Sequence, residues 1–204
     1  NWAKQVKATH VLGPVQAHKN HKKIKLAYFT CDFFAHATTM LVEGLLMSHD
    51  RELFELHAFS LDISKEDEYT SRIKNLFDHY HEVFHYSDRA IANLSRELEI
   101  DIAIDLKGYT EGSRPAIFAE KAAPVQINFL GFPGSMGADF IDYMVADPYT
   151  INDENREFFT AEEPARPGRF GSHATPASWP QGWKNDSPNP SRPGWRWPRH
   201  HFQD

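Results

Sequence analysis

The sequence has one cysteine, Cys31, so it cannot close an internal disulfide and must hold its fold by packing. A lone thiol fits a reducing, cytoplasmic setting. No run comes near the roughly 18 consecutive apolar residues that a membrane-spanning helix needs. Residues 1–25 also lack the apolar centre of a signal peptide. Basic charge is scarce: 22 Lys and Arg stand against 28 Asp and Glu, a formal net charge of -6. That balance excludes the positive stripe by which proteins track nucleic-acid phosphates. Neither G-x-G-x-x-G nor G-x-x-x-x-G-K-[ST] occurs, so a dinucleotide fingerprint and a P-loop are both missing.

The carboxyl-terminal stretch lacks more. Residues 161–204 contain no Leu, Ile, Val, Met, Tyr or Cys, yet hold 8 of the 13 prolines and 4 of the 5 tryptophans. A segment without aliphatic side chains has nothing to pack, and proline at that density breaks helices and sheet ladders. The expectation is a disordered Pro/Trp-rich tail, or an out-of-frame reading that begins near Thr160. Residues 1–21 read as a polar, solvated leader. Its His10, His18 and His21 lack the converging partners that make a metal site.

Between these ends, residues 22–160 alternate two periods. Short apolar or alternating runs at 25–30, 54–59, 82–86, 100–106, 125–130 and 143–146 predict strands. Helical stripes fall between them. Thr38 or Thr39 is expected to cap a helix carrying Met40, Leu41, Leu45 and Leu46 at spacings of three to five. Residues 67–78 place Tyr69, Ile73, Leu76 and Phe77 on one stripe, and Asp88 is expected to cap a helix carrying Ile91, Leu94 and Leu98. Ser113 is expected to cap a short helix with Pro115 in its first turn. Strand–helix alternation with long crossovers predicts an α/β, Rossmann-like, doubly wound parallel sheet.

In such sheets ligands bind beyond the carboxyl ends of the strands. Three of those ends are unusual: 30–36 with Cys31, Asp32 and His36; 107–112 with Lys107, Gly108, Tyr109 and Thr110; and 131–137 with Pro133, Gly134 and Ser135. The glycines serve equally well as turn formers, Asp32 as a local cap and Cys31 as a buried apolar residue. A titratable histidine, a carboxylate and a hydroxyl on one sheet edge nevertheless describe the wall of a cleft for a polar ligand.

These residues resemble a known family. Asp32-Phe33 with His36, then Gly108-Tyr109-Thr110, then Ala123-Pro124-Val125-Gln126 running into residues 130–137, and finally Asp142-Tyr143 and Asp147, are similar to the catalytic region of O-linked N-acetylglucosamine transferases and their SPINDLY-like bacterial relatives. The resemblance implies the amino-terminal half of a two-domain GT-B glycosyltransferase. The carboxyl-terminal catalytic half and tetratricopeptide repeats are expected in the full-length protein. It implies inverting transfer of a sugar from a nucleoside diphosphate sugar, UDP-GlcNAc by analogy, to a protein hydroxyl, with no metal and no cofactor. It assigns His36 to the cleft as the catalytic candidate and Asp32 to bracing the histidine loop. Thr110 is assigned to the sugar site, with Lys107, Gly108, Tyr109, Pro133, Gly134 and Ser135 lining the cleft. Lys107 departs from the family pattern, placing an ammonium where relatives carry an uncharged side chain. On its own the chain is expected to be inactive. A stand-alone Rossmann-like module for a small phosphorylated ligand or a protein partner is the competing reading.

Overall fold

The computed structural model describes residues 13, 15, 21–63, 65–132, 134–146 and 151. The expected tail at 161–204 and most of the leader lie outside them, as do Pro133 and Asp147. Ten elements follow in order: β1 (Ile24–Thr30), α1 (Ala37–Ser48), β2 (Phe54–Ser60), α2 (Glu68–Lys74), β3 (His79–Glu82), α3 (Asp88–Glu97), β4 (Ile102–Asp105), α4 (Ala116–Ala119), β5 (Val125–Phe129) and β6 (Tyr143–Val145). The six strands form one sheet in the order β3-β2-β1-β4-β5-β6, every neighbouring pair parallel. This is the doubly wound, Rossmann-like sheet that the alternation predicts.

Period-two alternation along β1 sends its side chains into two separate cores. Leu26 and Tyr28 join Val42 and Leu46 of α1 and Ile73 of α2 on one face. Ala27 and Phe29 join Ile91 and Ala92 of α3 and Ile117, Phe118 and Ala119 of α4 on the other. Phe29 stacks on Phe59 with ring centroids 4.4 Å apart and meets Phe118 edge-on at 5.3 Å. Strands buried on both faces are the reason that β1 and β4 read as unbroken apolar runs.

Several local expectations differ from what is observed. In α1 the buried residues are Thr38, Thr39, Val42 and Leu46, whereas Met40, Leu41 and Leu45 face outward with Met47. The helix is apolar nearly all round, so periodicity alone does not say which face meets the sheet. Neither threonine caps it. His36 is the N-cap, and the Thr39 hydroxyl instead donates to the Asp32 carbonyl. α2 spans only Glu68–Lys74, opened by a capping box between Asp67 and Thr70. Ser87, not Asp88, caps α3 by accepting from the Ala90 amide, which frees Asp88 to pair with Arg114. Pro115 itself stands at the N-cap of α4, with no side-chain cap and no part for Ser113. β3 begins at His79 rather than at Glu82. As the edge strand it pairs only with β2, so a polar His-Tyr-His-Glu sequence suffices there.

The end of the leader is held rather than solvated. The His21 ring lies 3.0 Å from Asp101 and 3.1 Å from Glu99 at the turn between α3 and β4. Hydrogen bonding to Asp101, chiefly, raises the His21 pKa above its ordinary value.

Candidate functional site

The order of the strands reverses between β1 and β4, and this is the switch point where open α/β sheets take their ligands. The loop after β1 is anchored from below by Phe33. Its ring is buried and packs edge-on against Phe77 at 5.3 Å and against Tyr80 at 5.6 Å. The loop is held from the side by Asp67, whose carboxylate accepts from the Ala35 amide at 2.9 Å. That bond is the main reason the Asp67 carboxyl lies below its ordinary range. The chain then turns into α1 through His36.

His36 is committed at one ring nitrogen. Nδ1 accepts from the Thr38 amide at 3.3 Å and lies 3.5 Å from Oδ2 of Asp32. The side chain is 40% exposed, and Nε2 has no hydrogen-bond partner among the described residues. An accepting Nδ1 places the proton of the neutral ring on Nε2. The neutral imidazole with this tautomer keeps an N–H donor at Nε2 that no described residue engages.

Across the gap, the loop after β4 is shaped by Asp105. This buried carboxylate accepts from the Lys107 amide at 2.8 Å and the Gly108 amide at 3.1 Å. Burial, above all, raises its pKa. Gly108 adopts φ +57°, and a Cβ there would collide with Phe132, so only glycine fits. A Cβ on Gly131 would likewise strike the Leu106 carbonyl. The two turns are thus pressed against each other backbone to backbone.

Buried polar bonds tie the three loops together. The Lys107 ammonium lies 2.7 Å from Asp32 Oδ2, with both side chains 7% exposed. Burial alone would lower the Lys107 pKa, but the hydrogen bond and charge of Asp32 carry it above its ordinary value. The Tyr109 hydroxyl donates to the Met136 carbonyl at 2.6 Å, and its ring meets Phe132 edge-on at 5.5 Å. The Thr110 hydroxyl closes the turn by donating to the Lys107 carbonyl at 2.9 Å, and the Ser135 hydroxyl accepts from the Gly137 amide at 3.2 Å.

Asp32, His36, Lys107, Gly108, Tyr109, Thr110, Gly134 and Ser135 therefore stand on three loops at one sheet edge. Pro133 lies outside the described residues. Of these, Lys107 and Asp32 are spent on each other, and the Thr110 and Tyr109 hydroxyls are spent on carbonyls. His36 keeps an unengaged ring nitrogen. The residue that sequence reasoning passes over is Asp105. Its signal is a carboxylate closing an apolar strand directly before a lysine–glycine turn.

Cys31 is half-buried, its thiol directed at Asp32 Oδ1 at 3.3 Å. Burial first, and then the Asp32 charge, push its pKa up to about 11. At pH 8 a shift of that size lowers the thiolate fraction about 100-fold relative to an ordinary thiol. Alkylation by iodoacetamide, followed by intact mass, should accordingly be far slower at pH 8 than for glutathione and accelerate between pH 9 and 11. Alkylation at the glutathione rate at pH 8 would show an accessible thiolate.

The family profile described as glycosyl transferase family 41 matches residues 6–164. The chain belongs to that family. Among curated relatives, the probable UDP-N-acetylglucosamine–peptide N-acetylglucosaminyltransferase SEC of Arabidopsis thaliana is 36% identical over 142 residues, covering 69% of this chain. The UDP-N-acetylglucosamine–peptide N-acetylglucosaminyltransferase of Caenorhabditis elegans is 29% identical over 160 residues, covering 76%. The probable SPINDLY transferase of Arabidopsis thaliana is 28% identical over 130 residues, covering 62%. This chain spans 14% of the length of each. A solved mutant O-GlcNAc transferase of Thermobaculum terrenum superposes with a TM-score of 0.66 at 27% identity, over 72% of this chain and 28% of that one. The family-41 match falls in the amino-terminal half of the catalytic region.

Proposed function

We propose that this chain forms the amino-terminal, acceptor-side wall of a protein glycosyltransferase. The reaction is transfer of N-acetylglucosamine from UDP-N-acetylglucosamine to a peptide hydroxyl, with inversion, in a cytoplasmic enzyme completed by a carboxyl-terminal catalytic half and tetratricopeptide repeats. Membership of family 41 and the activities named for the plant and nematode relatives support the reaction class. The observation that supports the reading is that His36 follows β1 at the strand-order switch point and keeps Nε2 unengaged by any described residue while Nδ1 accepts from the Thr38 amide.

The division of labour follows from charge. A departing nucleoside diphosphate needs positive charge or aligned donors to stabilise it. Among the described residues of the three loops the cations are Lys107 and Arg114, and both are neutralised, by Asp32 and by Asp88. Stabilisation of the leaving group is therefore the task of the other half. This half contributes orientation: His36 Nε2–H holds an oxygen of the sugar or acceptor in place. A proton-accepting role at Nε2 would need the opposite tautomer and would cost α1 its cap.

The test compares the chain alone with the same chain joined to the carboxyl-terminal half of the catalytic region. An acceptor peptide should gain the mass of one N-acetylhexosamine only with the joined enzyme. Turnover by the chain alone would sink the division of labour. Failure of the joined, folded enzyme on a panel of peptides and nucleotide sugars, together with binding of a small phosphorylated ligand by the chain alone, would favour a stand-alone binding module.

A further inference from the structure

We propose that Glu55, His57 and His79 form a binding site for a zinc ion, or a divalent metal of similar preference, on the outer edge of the sheet. Parallel pairing sets His57 of β2 directly beside His79 of β3, and Glu55 lies two residues earlier on the same face of β2. One donor atom from each falls within 4.8 Å of the other two. Glu55 Oε1 is 2.9 Å from His57 Nε2 and 3.4 Å from His79 Nε2. Bonds of about 2.0–2.2 Å in a tetrahedral zinc site put neighbouring donors roughly 3.3–3.5 Å apart, so the cluster needs only small side-chain shifts to close on an ion. Two imidazoles and one carboxylate suit zinc, nickel or copper and do not suit calcium or magnesium.

The surroundings are those of a metal-binding histidine. Behind His57, His81 Nε2 lies 3.1 Å from His57 Nδ1, with the two rings stacked at 5.4 Å. When His57 Nδ1–H donates to His81, the lone pair of His57 Nε2 is turned toward Glu55 and His79, the outer-sphere arrangement that orients ligating histidines. Lys25, the nearby cation, is drawn away by donating to the Leu98 carbonyl at 2.9 Å. His79 is half exposed, which gives an ion a way in and leaves room for water as a further ligand. The signal in the sequence is a Glu-x-His on one strand and a His-x-His on the next.

The experiment uses the full chain, titrated with zinc in a calorimeter and with cobalt followed by its visible d–d bands. One zinc per chain is expected, with a rise in thermal midpoint. His79→Gln at the exposed rim and Glu55→Gln at its partly buried neighbour, both close to isosteric, should each weaken binding roughly tenfold or more. Circular dichroism verifies that each variant is folded. A double His10→Gln/His18→Gln variant should bind as well as the wild type. Absence of both zinc heat and cobalt bands would overturn the proposal. So would binding that survives His79→Gln and Glu55→Gln, or that disappears with the leader histidines.

Discussion

In the joined two-half enzyme, His36→Ala lowers kcat/KM on the order of 10–1000-fold, the range for one positioned hydrogen-bonding or proton-transferring group. The same change removes the cap of α1, because His36 Nδ1 is the acceptor for the Thr38 amide. Losing an N-cap costs about 1 kcal/mol, a modest fall in midpoint. His36→Asn separates the two losses. Asparagine restores a capping oxygen at the same backbone geometry but has nothing that reaches as far as Nε2. The expected result is a midpoint recovered by Asn and an activity that stays low. If Asn recovered both, His36 would be a helix cap and nothing more, and the main support for cleft chemistry on this half would go with it.

Lys107→Met is expected to be the most destabilising exchange at the same edge. It strands the Asp32 carboxylate, 7% exposed, without its counter-charge. Breaking a buried ion pair from one side costs about 3–5 kcal/mol, whereas replacing both partners is often neutral. In a chain of this size that loss lowers the thermal midpoint by roughly 10 °C. Lys107→Met combined with Asp32→Asn should regain most of it, since no unpaired charge is left behind. A midpoint unmoved by Lys107→Met would mean that water reaches the pair. A double variant as unstable as the single would mean that the lysine stem, not its charge, supports the loops.

The sheet was legible because each of its central strands is short, apolar and bounded by polar turns. What was not legible depended on partners distant in sequence. α1 illustrates the limit: with apolar residues on every side, its stripe is decided by where the sheet lies, and Thr38 and Thr39 take the inward positions because the Asp32 carbonyl waits there for the Thr39 hydroxyl. β3 shows the same from the other side. Its polar sequence is strand because β2 offers an unpaired edge, a fact outside any local window. At the candidate site, the grouping of loops after β1, β4 and β5 could be read from order alone. That Lys107 faces Asp32 rather than solvent could not, for the two are 75 positions apart.

The sheet is not laid down in the order in which it is synthesised. β1 lies beside β2 on one side and beside β4 on the other, with Leu26 against both Leu56 and Ile102. As the chain leaves the ribosome, β1, β2 and β3 can assemble at once, but the second edge of β1 stays open until β4 has emerged and the intervening α3 has formed. During that interval Leu26, Ala27, Tyr28 and Phe29 present a bare, apolar pairing edge, the kind that templates aggregation. That closure, Leu26 against Ile102, joins positions farther apart along the chain than any other strand pair in the sheet, so its loop-closure entropy is the largest of the five. Chaperone demand during expression should therefore peak between completion of β3 and release of β4, and stalling translation in that window is the manipulation most prone to yield insoluble protein.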